Sequence, residues 1–436
     1  MNGIFARIIL FSFCLLKSYF FVNACAKPKA HFLKLKDIDF VRDSLSGINC
    51  YNSLNYAPTI NHPEHTLVKY VIINIHFMRK SDGIGSFEEE EGIAYAKNIV
   101  YHANQSLLNN KPMNLPIGNS TPNLETRYQY FLTGDSRDGS DKGIYFHNDD
   151  ALYSYDNKNK GMKNNNLFSL AHFEKYKVNA DKVLNIFFLK HPKDSLQSKS
   201  YTLSANGVGT SQWAKIVGAF AYSRDSIIAE DGKLIPRGTW FMASLLNHEI
   251  GHSLGLWHTW NINDGCEDTP QNPGCWNIGP PPCDKAVSNN MMDYNACQCA
   301  LTPCQIGKIQ YGFFRESSTS KKYLVENWCE LKASANIYIQ DSVIWNCKKN
   351  VSGEIFILDG GYLEIQCDLS LPKGARIIVK AGATLVLNNC NITNSCNKKW
   401  QGILAEKNGN KKSKIVFKNN SVILNVENSF KLEYNR

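Results

Sequence analysis

The run His248-Glu249-Ile250-Gly251-His252-Ser253-Leu254-Gly255-Leu256-Trp257-His258 constrains this chain more than any other feature. On a helix, residues four apart project from one face a turn apart, so the imidazoles of His248 and His252 can reach one ion. A zinc ion with three protein ligands keeps its fourth position for water and lowers the pKa of that water to about 7. Glu249, beside the first histidine, is then within reach as a general base. Gly255 can take a left-handed conformation that ends the helix and turns the chain, which lets His258 return as the third nitrogen. A bare His-Glu-x-x-His also suits an ordinary amphipathic helix with two surface histidines. The glycine and the third histidine at these offsets are what metal binding needs in addition.

Downstream, Asn290-Met291-Met292-Asp293-Tyr294 resembles the Met-turn that follows the long zinc motif in metzincin metalloproteases. Asp268-Thr269-Pro270, Met292-Asp293-Tyr294 and Thr302-Pro303-x-Gln305 are similar to the pappalysin family within that group, over roughly residues 180–315. The resemblance implies an α/β fold: a metzincin zincin catalytic domain with a twisted sheet, an active-site helix and an irregular lower subdomain. It implies a zinc-dependent endopeptidase acting on protein or peptide substrates. Met292 would lie beneath the zinc histidines as a hydrophobic base, and Tyr294 would donate to the developing oxyanion, the alternative for Tyr294 being a core residue with a satisfied hydroxyl. Asp264, the carbonyl of Glu267 and Thr269 look like a family calcium site, although Asp and Thr also serve as plain turn and capping residues. Members that prefer arginine are expected to carry a carboxylate soon after the Met-turn. Here no Asp or Glu occurs between Tyr294 and Glu316, which predicts a weak or absent preference for arginine just after the scissile bond.

The first 26 residues read as an export signal, with Arg7 in a basic start, an apolar run from Ile8 to Leu16, and Ala24-Cys25-Ala26 as a small-residue cleavage site. Lys17 interrupts a run already too short to span a membrane. A second reading takes Val22-Asn23-Ala24-Cys25 as a lipoprotein box with Cys25 as a lipid anchor. The two readings place the protein as secreted or as anchored at the cell surface. Twelve of the fourteen cysteines follow Cys25, dense around the proposed site, and read as disulfides of an oxidising compartment. The net charge of +9 comes from lysines scattered through Asn- and Lys-rich stretches with no nucleic-acid motif, so no nucleic-acid partner is expected.

Residues 27–66 lack sustained periodicity and read as a prosegment or N-terminal extension. Cys50 within it is either a thiolate that blocks the zinc or half of a disulfide. His62 and His65 flank Pro63 in a loop-like stretch and read as surface residues. Residues 67–330 carry the predicted catalytic domain: strands at Val68–Phe77, Tyr128–Leu132, Gly143–Phe146 and Val183–Leu189, a helix with Ile93, Ala96, Ile99, Val100, Ala103 and Leu107 on one face, and the zinc helix from Thr239. Residues 336–436 change to short β runs with an internal repeat. Ile355-Phe356-Ile357 recurs as Ile377-Ile378-Val379, with a weaker copy at Ile415-Val416-Phe417, a pattern that predicts parallel β-helix-like coils. Such coils could serve as a surface or glycan attachment module. The rival to a peptidase is accordingly a surface binding protein or adhesin that carries a metzincin module without proteolysis.

Overall fold

A computed structural model of the chain describes residues 29–34, 38–41, 49–132, 142–154, 171–191, 206–228, 234–236, 238–260 and 263–427. The export segment, Cys25 and the Asn- and Lys-rich run 156–166 lie outside the described residues. Among the described residues, no helix is long and apolar enough to cross a membrane.

Two short N-terminal strands, β1 (Lys29–Phe32) and β2 (Asp39–Val41), belong to the C-terminal region and are taken up with it. The part that carries the metal motif is organised around β3 (Lys69–Arg79), whose sequence KYVIINIHFMR is apolar or aromatic at most positions and buried along nearly its whole length. Burial on both faces is the pattern of a central parallel strand. One edge of β3 pairs in parallel with β4 (Tyr128–Leu132) along its first half and with β5 (Ile144–Asn148) along its second. Its other edge carries β6 (Leu184–Leu189), also parallel. Beyond β6 the sheet ends with β7 (Asn206–Thr210), which pairs antiparallel with β8 (Trp213–Val217), itself parallel to β6.

Helix α1 (Glu89–Leu108) buries Tyr95, Ala96, Ile99, Val100, Ala103 and Leu107, so Tyr95 takes the place expected for Ile93, which is half-buried at the stripe's edge. After a single-turn helix α2 (Ala219–Ser223) and an antiparallel pair, β9 (Ser226–Ile228) with β10 (Leu234–Pro236), comes the motif helix α3 (Gly238–Ser253). It packs between α1 and the β7–β8 pair, so both of its faces are covered. Its buried residues accordingly include Met242, Leu246 and Ile250 together with the polar Asn247, His248 and Glu249. Helix α4 (Pro303–Gly312) starts at a capping box between Thr302 and Gln305, which explains the Thr-Pro-x-Gln signature as a helix start.

The C-terminal region stacks strands in three parallel sheets, one strand of each sheet per coil. The first contains β11 (Ile337–Ile339), β14 (Ile355–Ile357), β17 (Arg376–Val379) and β20 (Gly402–Asn408). The second contains β12 (Ser342–Trp345), β15 (Tyr362–Ile365), β18 (Thr384–Asn388) and β22 (Lys414–Lys418). The third contains β13 (Lys349–Asn350), β16 (Leu369–Ser370), β19 (Asn391–Thr393) and β23 (Val422–Ile423), while β21 (Lys411–Lys412) folds back on β20. Ile355 pairs with Ile377 in register, but Ile415 pairs with Leu385 of the second sheet and is no third copy of that run. The third copy is Ile403-Leu404-Ala405, displaced because the connection from β19 to β20 is longer than that from β16 to β17, and the β20–β21 hairpin that follows displaces β22 in turn.

Residues 27–66 do not lie across the metal motif where the structure describes them. Strand β1 pairs antiparallel with β20, β2 pairs in parallel with β22, and Cys50 forms a disulfide with Cys367. Cys50 is thus the disulfide partner of its two alternatives. Four further bonds join Cys266–Cys304, Cys275–Cys283, Cys297–Cys299 and Cys329–Cys396, while Cys347 and Cys390 are free and buried in the C-terminal region. His65, expected at the surface, is only 4% exposed.

Candidate metal centre

Helix α3 carries His248 and His252 to the same side, and its end delivers His258. Gly255 has φ +99°, its N–H donates to the carbonyl of His252, and the Leu256 N–H donates to the carbonyl of Gly251. Those two bonds make a Schellman closure, in which a residue without a β-carbon is strongly favoured at the left-handed position. The chain reverses there, and His258 faces the helix.

The three Nε2 atoms form a nearly equilateral triangle: 3.2 Å between His248 and His252, 3.2 Å between His248 and His258, and 3.1 Å between His252 and His258. Three neutral nitrogens at such spacing repel one another unless a cation sits among them. The edge of a tetrahedron with zinc–nitrogen bonds of about 2.0–2.1 Å is about 3.3 Å, so the triangle has the size zinc needs. The other ring nitrogens of His248 and His252 are committed elsewhere. Nδ1–H of His248 donates to the carbonyl of Met291 at 2.8 Å, and Nδ1–H of His252 donates to the carbonyl of Leu256 at 2.9 Å. That tautomer leaves the Nε2 lone pairs of His248 and His252 on the metal side. Burial, with neighbouring imidazoles adding to it, holds His248 down at about 3 and His258 at about 4, which keeps both unprotonated near neutrality. The donor set fits the metal: three imidazoles suit zinc and leave a coordination position open.

Glu249 is buried beside this triangle. Burial pushes its carboxyl up to about 8, opposed by a hydrogen bond from the Gly209 backbone, and Oε2 has no protein partner among the described residues. Strand β7 makes this possible through two glycines that sequence reasoning passed over. A β-carbon on Gly207 would lie 2.3 Å from Glu249 Oε1, and one on Gly209 would lie 2.0 Å from the Glu249 carbonyl oxygen. The alternation Asn-Gly-Val-Gly-Thr was the available signal, because glycine at every second strand position marks a backbone that something approaches closely.

Met292 is fully buried against the motif helix, and Gly251 makes room for it: a β-carbon at Gly251 would stand 2.5 Å from Met292 Sδ. Gln298 is the other residue not anticipated. The Cys297–Cys299 disulfide brackets it, its φ is +44°, and its side-chain nitrogen donates to the Asp293 carbonyl and lies 3.1 Å from His248 Nδ1. Asp293 accepts from Thr259 and Asn272, which ties the His258 turn to the Met-turn. Asn295 and Gln298 are both buried, so neither offers an exposed group in the position of the missing carboxylate. Tyr294 is 46% exposed, with its ring centroid 4.9 Å from that of His258 and 5.4 Å from that of Trp260. Its hydroxyl is thus not part of the core, the alternative weighed from sequence.

The loop expected to bind calcium is internally satisfied. Asp264 accepts from the Thr269 hydroxyl and the Cys266 N–H, and the Lys308 ammonium donates to the Asp264 carbonyl. A lysine already supplies positive charge at this turn, and nothing in the arrangement of Asp264, Glu267 and Thr269 lends calcium support.

Residues 171–313 match the profile of peptidase family M43, described as pregnancy-associated plasma protein-A. Among solved structures, the chain is similar to mature mirolysin of Tannerella forsythia in complex with a cleaved peptide. It is likewise similar to mirolysin in complex with compound 9. Both comparisons give 15% identity and a TM-score of 0.39, covering 60% of this chain and 96% of the other. A mutant of Tannerella forsythia promirolysin is similar at 15% identity and a TM-score of 0.36, over 62% of this chain and 88% of that one. No curated protein matches the chain. The family match thus falls on the segment that holds the three histidines and the Met-turn, and on that match the chain is a zinc metalloendopeptidase.

Proposed function

We propose that this chain is an exported endopeptidase in which Glu249 is the general base and Tyr294 the oxyanion donor, with zinc held by His248, His252 and His258. Export is supported by five disulfides, which persist in oxidising compartments. In this reading residues 1–26 are the leader, 67–330 the catalytic domain and 336–436 an appended coil. When bound, zinc supplies Lewis acidity toward the peptide carbonyl and acidifies water.

The protein's own groups do the rest. Glu249, desolvated and with one oxygen unpartnered, takes a proton from the attacking water and returns it to the leaving amine. Tyr294 donates its hydroxyl proton in a hydrogen bond to the carbonyl oxygen as negative charge develops there. The lack of a carboxylate after Tyr294 leaves the pocket beyond the scissile bond without a partner for arginine.

The observation that carries the reading is the buried Glu249 carboxylate with its free oxygen beside the histidine triangle, since a purely structural zinc site needs no such group. Zinc content and peptide hydrolysis, measured together in wild type, Glu249→Gln and His252→Ala, test it. Glu249→Gln should keep zinc and lose hydrolysis by about 10²–10⁴-fold, the scale of a general base, while His252→Ala loses both. Undiminished hydrolysis in Glu249→Gln sinks the mechanism. Wild type that binds zinc and cleaves no peptide in a library leaves the binding-module alternative.

A further inference from the structure

A second group of metal-ligand side chains stands apart from the motif helix. Pro63–His65 is one turn of 3-10 helix with His62 as its N-cap. In that geometry residues three apart eclipse one another. The rings of His62 and His65 therefore stack, with centroids 4.7 Å apart and planes within 6°. Glu64, between them in sequence, places Oε1 3.1 Å from Nδ1 of His62 and 3.6 Å from Nε2 of His65. One donor atom from each of the three residues falls within 4.8 Å of the others.

His65 Nε2 is the informative atom. The residue is 4% exposed, and this nitrogen has no hydrogen-bond partner among the described residues. A buried ring nitrogen that faces a carboxylate at more than hydrogen-bond distance is satisfied by a cation bound to both. Asp341 Oδ2 lies 4.0 Å from the Nε2 of His62, the nitrogen remote from Glu64, beyond hydrogen-bond distance but near enough to add negative charge to the cluster. The Trp345 ring stands 5.7 Å from His65, nearly perpendicular to it, and the Lys349 ammonium donates to the His65 carbonyl at 3.1 Å. Lys349 opposes an added cation, whereas Glu64 and Asp341 favour one.

We propose that His62, Glu64 and His65 form a second divalent-cation site, taking zinc or another first-row ion that favours imidazole, at the joint between the catalytic domain and the first C-terminal coil. Two imidazoles and one carboxylate select such ions over magnesium or calcium. The tetrahedral edge for zinc is about 3.3 Å, shorter than the widest separation here, so the ligands must draw together. His62 and Glu64 can do so, being 35% and 54% exposed, while His65 is the fixed member. The turn precedes β3 and its supports Asp341, Trp345 and Lys349 belong to β11–β13 and their connections, so a bound ion ties the two regions together.

The test is zinc stoichiometry of the full chain, equilibrated against micromolar zinc alone and read by metal mass spectrometry with thermal unfolding alongside. Wild type should hold two zinc ions, His62→Gln one, His252→Ala one and the double variant none. Zinc should raise the melting temperature of His252→Ala and leave that of the double variant unmoved. Glu64→Gln, also at the surface, should weaken the second zinc by tenfold or more. If His62→Gln holds as much zinc as wild type, the proposal fails whatever the wild-type number. A failure of the motif site would appear separately, as His252→Ala losing no zinc.

Discussion

Residues 255–301 and the C-terminal coils solve the same problem by opposite means. The coils bury Ile355, Ile377, Leu363, Leu385 and their successors in one continuous apolar interior, with backbone groups satisfied by parallel ladders. The lower catalytic region has a single isolated bridge, Asn290 with Ala300, and no strand or helix among its described residues. Its backbone is held instead by Asn, Asp and Gln side chains, and by disulfides that begin or end in it. Periodicity stacks identical layers well. It cannot bring His258, Met292 and Gln298 to one point from three directions, and that task falls to cross-links and side-chain caps.

The contrast can be broken first at a cross-link. Replacing Cys266 and Cys304 together by serine opens a loop of 38 residues, which on the loop-entropy scale costs about 4 kcal/mol. Denaturant unfolding should show that loss together with falling hydrolysis, whereas preserved activity would mean that the lower region holds itself together. Leu385→Ala, a cavity in the fully buried interior of the second sheet, should cost about 3 kcal/mol in the same assay. Its hydrolysis under native conditions should stay at the wild-type level. A comparable loss of kcat would show that coil and catalytic site are coupled.

Gly209→Ala sharpens the picture from the catalytic side. The β7 backbone must retreat from the Glu249 carbonyl, and a displacement near 1 Å lowers kcat/KM by about 10²-fold, or roughly 2.7 kcal/mol. Zinc content should be unchanged, and activity within threefold of wild type would refute the tight-approach argument.

The smallest effect is in acid, where the regions respond with opposite sign. Burial raises the Asp264 carboxyl, outweighing its hydrogen bonds from Thr269 and Cys266. The folded lower loop therefore binds a proton more tightly than the unfolded chain, and it gains stability as pH falls through that raised pKa toward 3.8. Burial would also raise Glu364, but hydrogen bonds from Tyr362, Asn388 and Gln366 reverse it to a net lowering. Its contribution is fully present above 4.5 and is lost as pH falls from there through the depressed value. Hydrogen-exchange protection factors at pH 5.5 and 4 should rise slightly around residue 264 and fall around 364. Parallel changes would mean that neither carboxylate governs its region.

The metal motif was legible because its ligands sit within eleven consecutive residues and their spacing is itself the geometry. Gly207 and Gly209 were not, since their meaning depends on a helix forty residues away and a missing side chain carries no chemical label. The coil repeat was readable where two coils share a length, and misaligned at Ile415 where a hairpin lengthens the next. The strands β1 and β2 have four and three residues, too few for periodicity to register, and their partners lie at the other end of the sequence. His65 looked like a loop histidine because the Trp345 that covers it is contributed by the coil.

Those two short strands also bear on growth. Each coil offers its successor a bare row of N–H and C=O groups, and the same row would accept a strand from another molecule. By laying β1 on β20 and β2 on β22, the chain closes two of the three edges of its last described coil with segments synthesised hundreds of residues earlier. The beginning of the polypeptide thus acts as a terminator for a stack that would otherwise be open to further addition, with Cys50 bonded to Cys367 keeping that terminator attached.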